Sequence, residues 1–216
     1  MVMIVSAQND VTQFLGIPID GTRSDLIGKI KKKGFKKTKF ADETILTGRF
    51  NDTDVNIDVA TNNGKAYRVI VWDVNPSNER MVRIRYNNLC YQFKNNDKYI
   101  TQQDGSIPND EDISHEMKVN SKSYQSIFFQ CPTEIGDSII RKQTIEEITS
   151  RTLSGALRNI SKEERYKETE RVYIEKWSAL CSNKRVWFTI LEQENNKYVV
   201  AIYYENVYNQ NNGKDL

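Results

Sequence analysis

The chain is short of nearly everything that announces a reaction. Its 216 residues hold one histidine, His115, and three cysteines, Cys90, Cys131 and Cys181. A histidine-based zinc catalytic centre takes two or three imidazoles, and one does not supply it. The cysteines lie far apart and form no C-x-x-C pair, which removes zinc-ribbon and dithiol redox motifs. Buried thiols packed as small hydrophobes are the expected use. No phosphate-cradling G-x-x-x-x-G-K-[ST] or G-x-G-x-x-G occurs, no G-x-S-x-G elbow and no H-E-x-x-H. No catalytic residue, metal or cofactor is assigned from the sequence. With 4 Pro and 10 Gly, the chain is not a linker or a low-complexity tract. No apolar run approaches the ~20 residues that cross a bilayer. A net charge of +2, from 31 basic and 29 acidic residues, lacks the basic excess of a nucleic-acid binder, so no nucleic-acid partner is expected.

What is there builds a core. The chain carries 11 Tyr, 8 Phe and 3 Trp. Such residues need burial, and the composition is that of a folded globular protein and not a disordered one. After a short extended stretch through Phe14–Asp20, Thr22 or Ser24 caps a helix, Asp25 complements its dipole, and Leu26, Ile27 and Ile30 share one face. Gly34 stands where a left-handed stop belongs, with Phe35 next to pack back on Ile30. Three strands follow: Glu43–Phe50, Thr53–Ala60 and Ala66–Val74. In the second, Val55, Ile57 and Val59 oppose Asp54, Asn56 and Asp58, the alternation of a half-buried antiparallel strand. Asn62-Asn63-Gly64 turns the chain between the last two. A helix from about Asn78 to Asn95 places Val82, Tyr86, Leu89 and Phe93 on one stripe.

Thr101–Asp112 reads as a loop and an internal boundary, dividing residues 9–100 from 101–216 as two subdomains. Beyond it, Ile113–Val119 and Tyr124–Cys131 are expected to pair as a hairpin. The capping boxes Thr144-x-x-Glu147 and Ser161-x-x-Glu164 predict helices near 144–159 and 162–181. Arg185–Glu192 and Lys197–Glu205 read as strands joined at Asn195-Asn196, before a polar tail. The expectation is an α+β fold of antiparallel sheets covered by helices, with the two subdomains alike. The first eight residues read as a signal-peptide remnant ending near Ala7, or else residues 2–5 form a strand.

Four groups of residues could carry function. Asp54-x-Asn56-x-Asp58 opens like a calcium loop, but Val59 and Lys65 stand where Gly and Glu are needed. Glu163, Glu164, Glu168, Glu170 and Glu175 alternate with basic residues, as on a solvated helix. Seven lysines fall within eleven residues: Lys29, Lys31, Lys32, Lys33, Lys36, Lys37 and Lys39. Lys31, Lys32 and Lys36 are the candidate anion-binding residues, weighed against a helix end that favours cations and a guarded strand edge. Trp187, Tyr203 and Tyr204, with Tyr198 and Tyr208 near them, are a candidate aromatic face, weighed against ordinary cross-strand packing.

Three stretches resemble a family of uncharacterised, mostly exported proteins of gut anaerobic bacteria. They are Phe14-Leu-Gly-Ile-Pro-Ile-Asp-Gly-Thr22, Val186-Trp-Phe188, and the ending Ile202-Tyr-Tyr-Glu-Asn-Val-Tyr-Asn-Gln-Asn-Asn-Gly-Lys-Asp-Leu216. The resemblance implies export to the periplasm or cell surface and brings no functional residues with it. The element order of the first half is also similar to periplasmic modules of the β-lactamase-inhibitor or PepSY type, a likeness of topology alone. The leading expectation is a non-catalytic module of the cell envelope that binds a protein or glycan. The alternatives are a hydrolase of envelope material with an unfamiliar site, and polyanion binding through Lys29–Lys39.

Overall fold

The structure is a computed structural model that describes residues 10–40 and 43–210. The signal-peptide reading and the last six residues of the tail lie outside the described residues. The chain is α+β, and its contacts gather into two units. Residues 11–130 and 183–210 form a sheet unit, and Asp10 with residues 131–182 forms a helical unit.

The sheet unit opens with a two-residue hairpin, β1 (Gln13–Phe14) and β2 (Ile17–Pro18). Helix α1 (Arg23–Lys32) follows, its N-terminus capped where Thr22 Oγ1 accepts from the Asp25 N–H at 3.2 Å. Gly34 adopts φ +102° and turns the chain, and Phe35 enters the core with Leu26 and Ile30. A Cβ on Gly48 would stand 2.7 Å from the Phe35 ring, so glycine there is the seat of that ring. The eight-stranded sheet runs β3 (Lys36–Phe40), β4 (Glu43–Phe50), β5 (Thr53–Asn62), β6 (Lys65–Asp73), β10 (Lys197–Asn206), β9 (Lys184–Gln193), β8 (Gln125–Gln130), β7 (Tyr99–Gln103), antiparallel at each step. Helix α2 (Glu79–Lys94), capped by Asn78, buries the expected stripe of Val82, Tyr86, Leu89 and Phe93. Phe93 stacks on Phe128 with ring centroids 5.0 Å apart, and Tyr86 meets Phe188 edge-on, also at 5.0 Å. Short helix α3 (Ile113–Val119) adds Ile113 to the same core.

Several expectations are corrected here. Ile113–Val119 is a helix and not a strand: Asp112 Oδ1 accepts from the His115 N–H at 2.8 Å, and Ile113 and Met117, four residues apart, turn inward together. The lysine-rich segment 36–40 is itself a strand, at one edge of the sheet. The expected loop begins only at residue 104, because β7 occupies 99–103. Strands from both sides of residues 101–112 share one sheet, so the compact units do not divide the chain there.

The helical unit is a hairpin of α4 (Glu134–Leu153) and α5 (Lys162–Ser182). Helix α4 starts ten residues earlier than its supposed capping box. Thr133 Oγ1 accepts from the Gly136 N–H at 3.2 Å, and Asp10 Oδ2 accepts from the Thr133 N–H at 2.7 Å. Gly136 admits that carboxylate: a Cβ would stand 2.2 Å from Asp10 Oδ2. Thr144 is buried mid-helix, its hydroxyl donating back to the Ile140 carbonyl at 2.8 Å. The second capping box is real, with Ser161 N–H to Glu164 at 2.7 Å and Glu164 N–H to Ser161 at 3.2 Å. Arg151–Glu168 at 2.5 Å and Lys176–Glu147 at 2.8 Å tie the two helices.

Candidate interaction surface

Successive residues of a strand face opposite sides of its sheet. In the sheet unit α1, α2 and α3 all bury their apolar side chains on one side, with Val69, Val71, Phe188, Ile202 and Tyr204. Within the sheet unit, the described side chains on the other side come from its own strands. Register aligns these in rows. In one row Arg68, Glu205 and Arg185 stand directly opposite one another on β6, β10 and β9. In the next stand Ile70, Tyr203, Trp187 and Ile127, and in a third Trp72, Ala201, Thr189 and Gln125.

Glu205 is the anchor. Its side chain is fully buried. Arg185 Nε donates to its Oε2 at 2.6 Å, and the Arg185 Nη2 lies closer still. Arg68 Nη2 is 2.5 Å from Oε1 but off the line of a hydrogen bond, so that contact is a charge pair. Held so, the Arg68 guanidinium lies 5.5 Å from the Tyr203 ring centroid, within cation–π range. Tyr203 in turn stacks on Trp187, centroids 4.0 Å apart and planes 12° from parallel. Burial pushes the Tyr203 phenol above its ordinary range, with Arg68 pulling the other way, so it stays protonated at neutral pH. The result is a pre-ordered, half-buried aromatic ridge beside two guanidiniums.

Of the three candidate aromatic residues, the structure unites Trp187 and Tyr203 and separates Tyr204. That ring lies on the helix-covered side, 4 % exposed and edge-on to Phe14 at 5.1 Å. Period-two alternation in β10 already required adjacent tyrosines to part. Arg68, Arg185, Glu205 and Trp72 were missed; the β9–β10 hairpin sets Arg185 against Glu205, and only the pairing of β6 with β10 brings Arg68 and Trp72 to them.

All seven clustered lysines are exposed. Lys29, Lys31 and Lys32 occupy the last turn of α1, Lys33 is its C-cap, and Lys36, Lys37 and Lys39 lie on β3. Asp58 pairs with Arg23 at 2.7 Å, and Asn56 is buried on the open side of the sheet. Among the described residues no group of three or more His, Cys, Asp or Glu side chains is placed to hold a metal.

A cleft of about 220 Å³ opens between the 103–108 segment and residues 122–125. Tyr124 donates to Glu111 at 2.6 Å, and Lys122 ion-pairs with the same carboxylate. The Lys122 and Tyr124 bonds hold Glu111 below the usual carboxylate range, and burial with Glu111 holds Tyr124 well above the usual phenol range. Glu111 is thus a poor base and Tyr124 a poor acid near neutrality. Beneath them Ser126 Oγ takes the Gly105 N–H at 2.9 Å and bonds Tyr86 at 2.9 Å and Cys90 at 3.2 Å. Burial raises the Cys90 thiol, which keeps it protonated and unreactive. His115 is exposed in the first turn of α3.

Compared with protein-family models, curated proteins and solved structures, the chain matches none.

Proposed function

We propose that this chain is a non-catalytic interaction module that docks a protein partner on the open side of its sheet, centred on Trp187 and Tyr203. The observation that carries the reading is the Trp187–Tyr203 stack braced by Arg68, itself held by buried Glu205. Trp, Tyr and Arg are the residues that dominate binding energy at protein interfaces, and pre-ordering them lowers the entropy lost on association. A protein is favoured over a glycan because the facing sides of both rings are covered by each other and Tyr203 also has Arg68 beside it. A pyranose needs an open ring face. Two guanidiniums against one carboxylate suit a partner with apolar side chains rimmed by acids. At the cleft lined by Lys122 and Tyr124, both side chains are already paired with Glu111, which supports this reading over a hydrolase. Work outside the cytoplasm is part of the proposal, on the resemblance to exported proteins; no helix among the described residues is long and apolar enough to cross a membrane.

Photo-crosslinking in producing cells tests it, with benzoylphenylalanine at Ile70 or Trp72 and, as control, at Tyr166 on α5. The expected result is one discrete protein adduct from the first two positions, absent at Tyr166 and abolished by Trp187→Ser with Tyr203→Ser. Equal labelling from all three positions refutes the assignment, and so does an adduct that survives the double substitution.

A further inference from the structure

The ridge makes no use of the lysines, and their placement has its own logic. Strand β3 is outermost in the sheet and pairs with β4 along one edge only. A free edge offers a row of N–H and C=O groups to any extended chain. Lysines there repel other basic strands, including this edge on a second copy, and would lose hydration against a neutral one, which is the familiar guard against aggregation. This edge carries more than a guard. Lys36, Lys37 and Lys39 are exposed, and Lys29, Lys31, Lys32 and Lys33 adjoin them at the end of α1. Ion pairs tie charges across much of the remaining surface, yet among the described residues none of these seven lysines joins one. Their seven charges exceed the net +2 of the whole chain, so the rest is net negative and the patch is a concentrated pole.

The register distinguishes the occupants. Lys36 stands opposite Thr47, which pairs with Asn56 on the open side, whereas Lys37 stands opposite Leu46 and Ile57 on the core side, with Lys39 two residues on. The lysines of β3 therefore point to both sides of the sheet. A flat anionic surface, such as a lipid headgroup layer, reaches one side at a time. A strand added at the edge reaches both, because its own side chains alternate in the same way.

The geometry points to β3 as a docking edge for an acidic, extended peptide segment, which adds to the sheet as a ninth strand and sets its carboxylates beside Lys36 on one side and Lys37 and Lys39 on the other. Backbone hydrogen bonds supply the affinity, and charge both selects acidic strands and rejects the rest.

The test uses the full chain and a fluorescein-labelled ten-residue peptide, Glu-Glu-Val-Val-Glu-Glu-Val-Val-Glu-Glu, whose adjacent glutamates face opposite sides of a strand, read by fluorescence polarisation. Two further peptides carry N-methyl groups on alternate residues, one along each edge, leaving every charge in place. We expect saturable binding that weakens in 0.5 M salt, at least tenfold weaker binding of one N-methylated peptide, and at least tenfold loss with Lys37→Glu plus Lys39→Glu in a variant whose circular dichroism is unchanged. Trp187→Ser leaves the binding intact, which separates this edge from the ridge. Equal binding of all three peptides overturns the proposal. So does failure of the peptide to bind, whether or not heparin or phosphatidylserine vesicles do.

Discussion

Glu205→Gln is the sharpest single test of how the ridge is held. The substitution keeps the side chain's volume and leaves no cavity, so its effect is that of charge and hydrogen bonding. The lost carboxylate is fully buried, and its partners Arg68 and Arg185 are 26% and 39% exposed. Removing one member of a fully buried pair costs roughly 3–5 kcal/mol, because the other charge is stranded. Here both guanidiniums reach some water and are partly relieved, which lowers the expectation to about 2–3 kcal/mol. For a chain of this size that corresponds to a fall in Tm of roughly 4–12 °C. Urea unfolding followed by tryptophan fluorescence measures it, since Trp72 and Trp187 both lie on this side of the sheet. The variant should also lose crosslinking from Ile70, since Arg68 then has no anchor. Replacing all three residues by apolar ones, Arg68→Met, Glu205→Leu and Arg185→Met, should restore most of the stability without restoring the crosslink. A Glu205→Gln protein within about 0.5 kcal/mol of the parent would show that the bracket contributes only what an exposed pair does, and the argument for a pre-ordered ridge would fall with it.

Gly105→Ala should destabilise the sheet unit by about 2–3 kcal/mol, because the new Cβ would stand 2.3 Å from the Gln125 carbonyl oxygen, a backbone atom that cannot swing away; unchanged thermal unfolding refutes this. Thr133→Ala should cost about 1 kcal/mol and fray the start of α4, readable by amide exchange at Gly136 and its neighbours, whereas Thr144→Ala should leave that turn's exchange unchanged. In the helical unit, bonds from Arg171 and Arg151 depress Glu168 to about 2. A carboxylate depressed on folding contributes stability above its unfolded pKa, near the ordinary 4.5, and loses it as pH falls towards 2. Glu168→Gln should therefore flatten the acid limb between those values, and an unaltered pH profile of unfolding would count against the Arg151–Glu168 tie. Cys90 should resist a thiol reagent in the native state and react on unfolding, as mass spectrometry of the labelled Cys90 peptide can follow.

What the sequence by itself determined is local. Helices α1 and α2 are legible to within a residue or two because their caps, Thr22 and Asn78, and the Gly34 stop are short-range chemistry. Strands β5, β6, β9 and β10 are legible because alternation and Asn-rich turns operate within one hairpin. Legibility failed where a signal was too short or was duplicated. Seven residues of α3 hold too few turns to separate a period of 3.6 from one of 2. Thr144-x-x-Glu147 copies a cap inside a helix that Thr133 had already begun. The lysines of β3 carry no apolar alternation because an edge strand that is wet on both sides needs none. Tertiary structure alone decided the rest. The pairing of β6 with β10 joins residues some 130 positions apart, as Tyr203 opposite Ile70 shows, and nothing local encodes a contact at that separation. That pairing adds Arg68 to the Arg185–Glu205 pair of the β9–β10 hairpin, so that Glu205 stands between two arginines, and joins the β3–β6 strands to the rest of the sheet. Tyr203 and Tyr204 are neighbours in the chain, yet one stands on the open side and the other is buried in the core. The chain chose the tyrosines; the sheet chose which of them meets the outside.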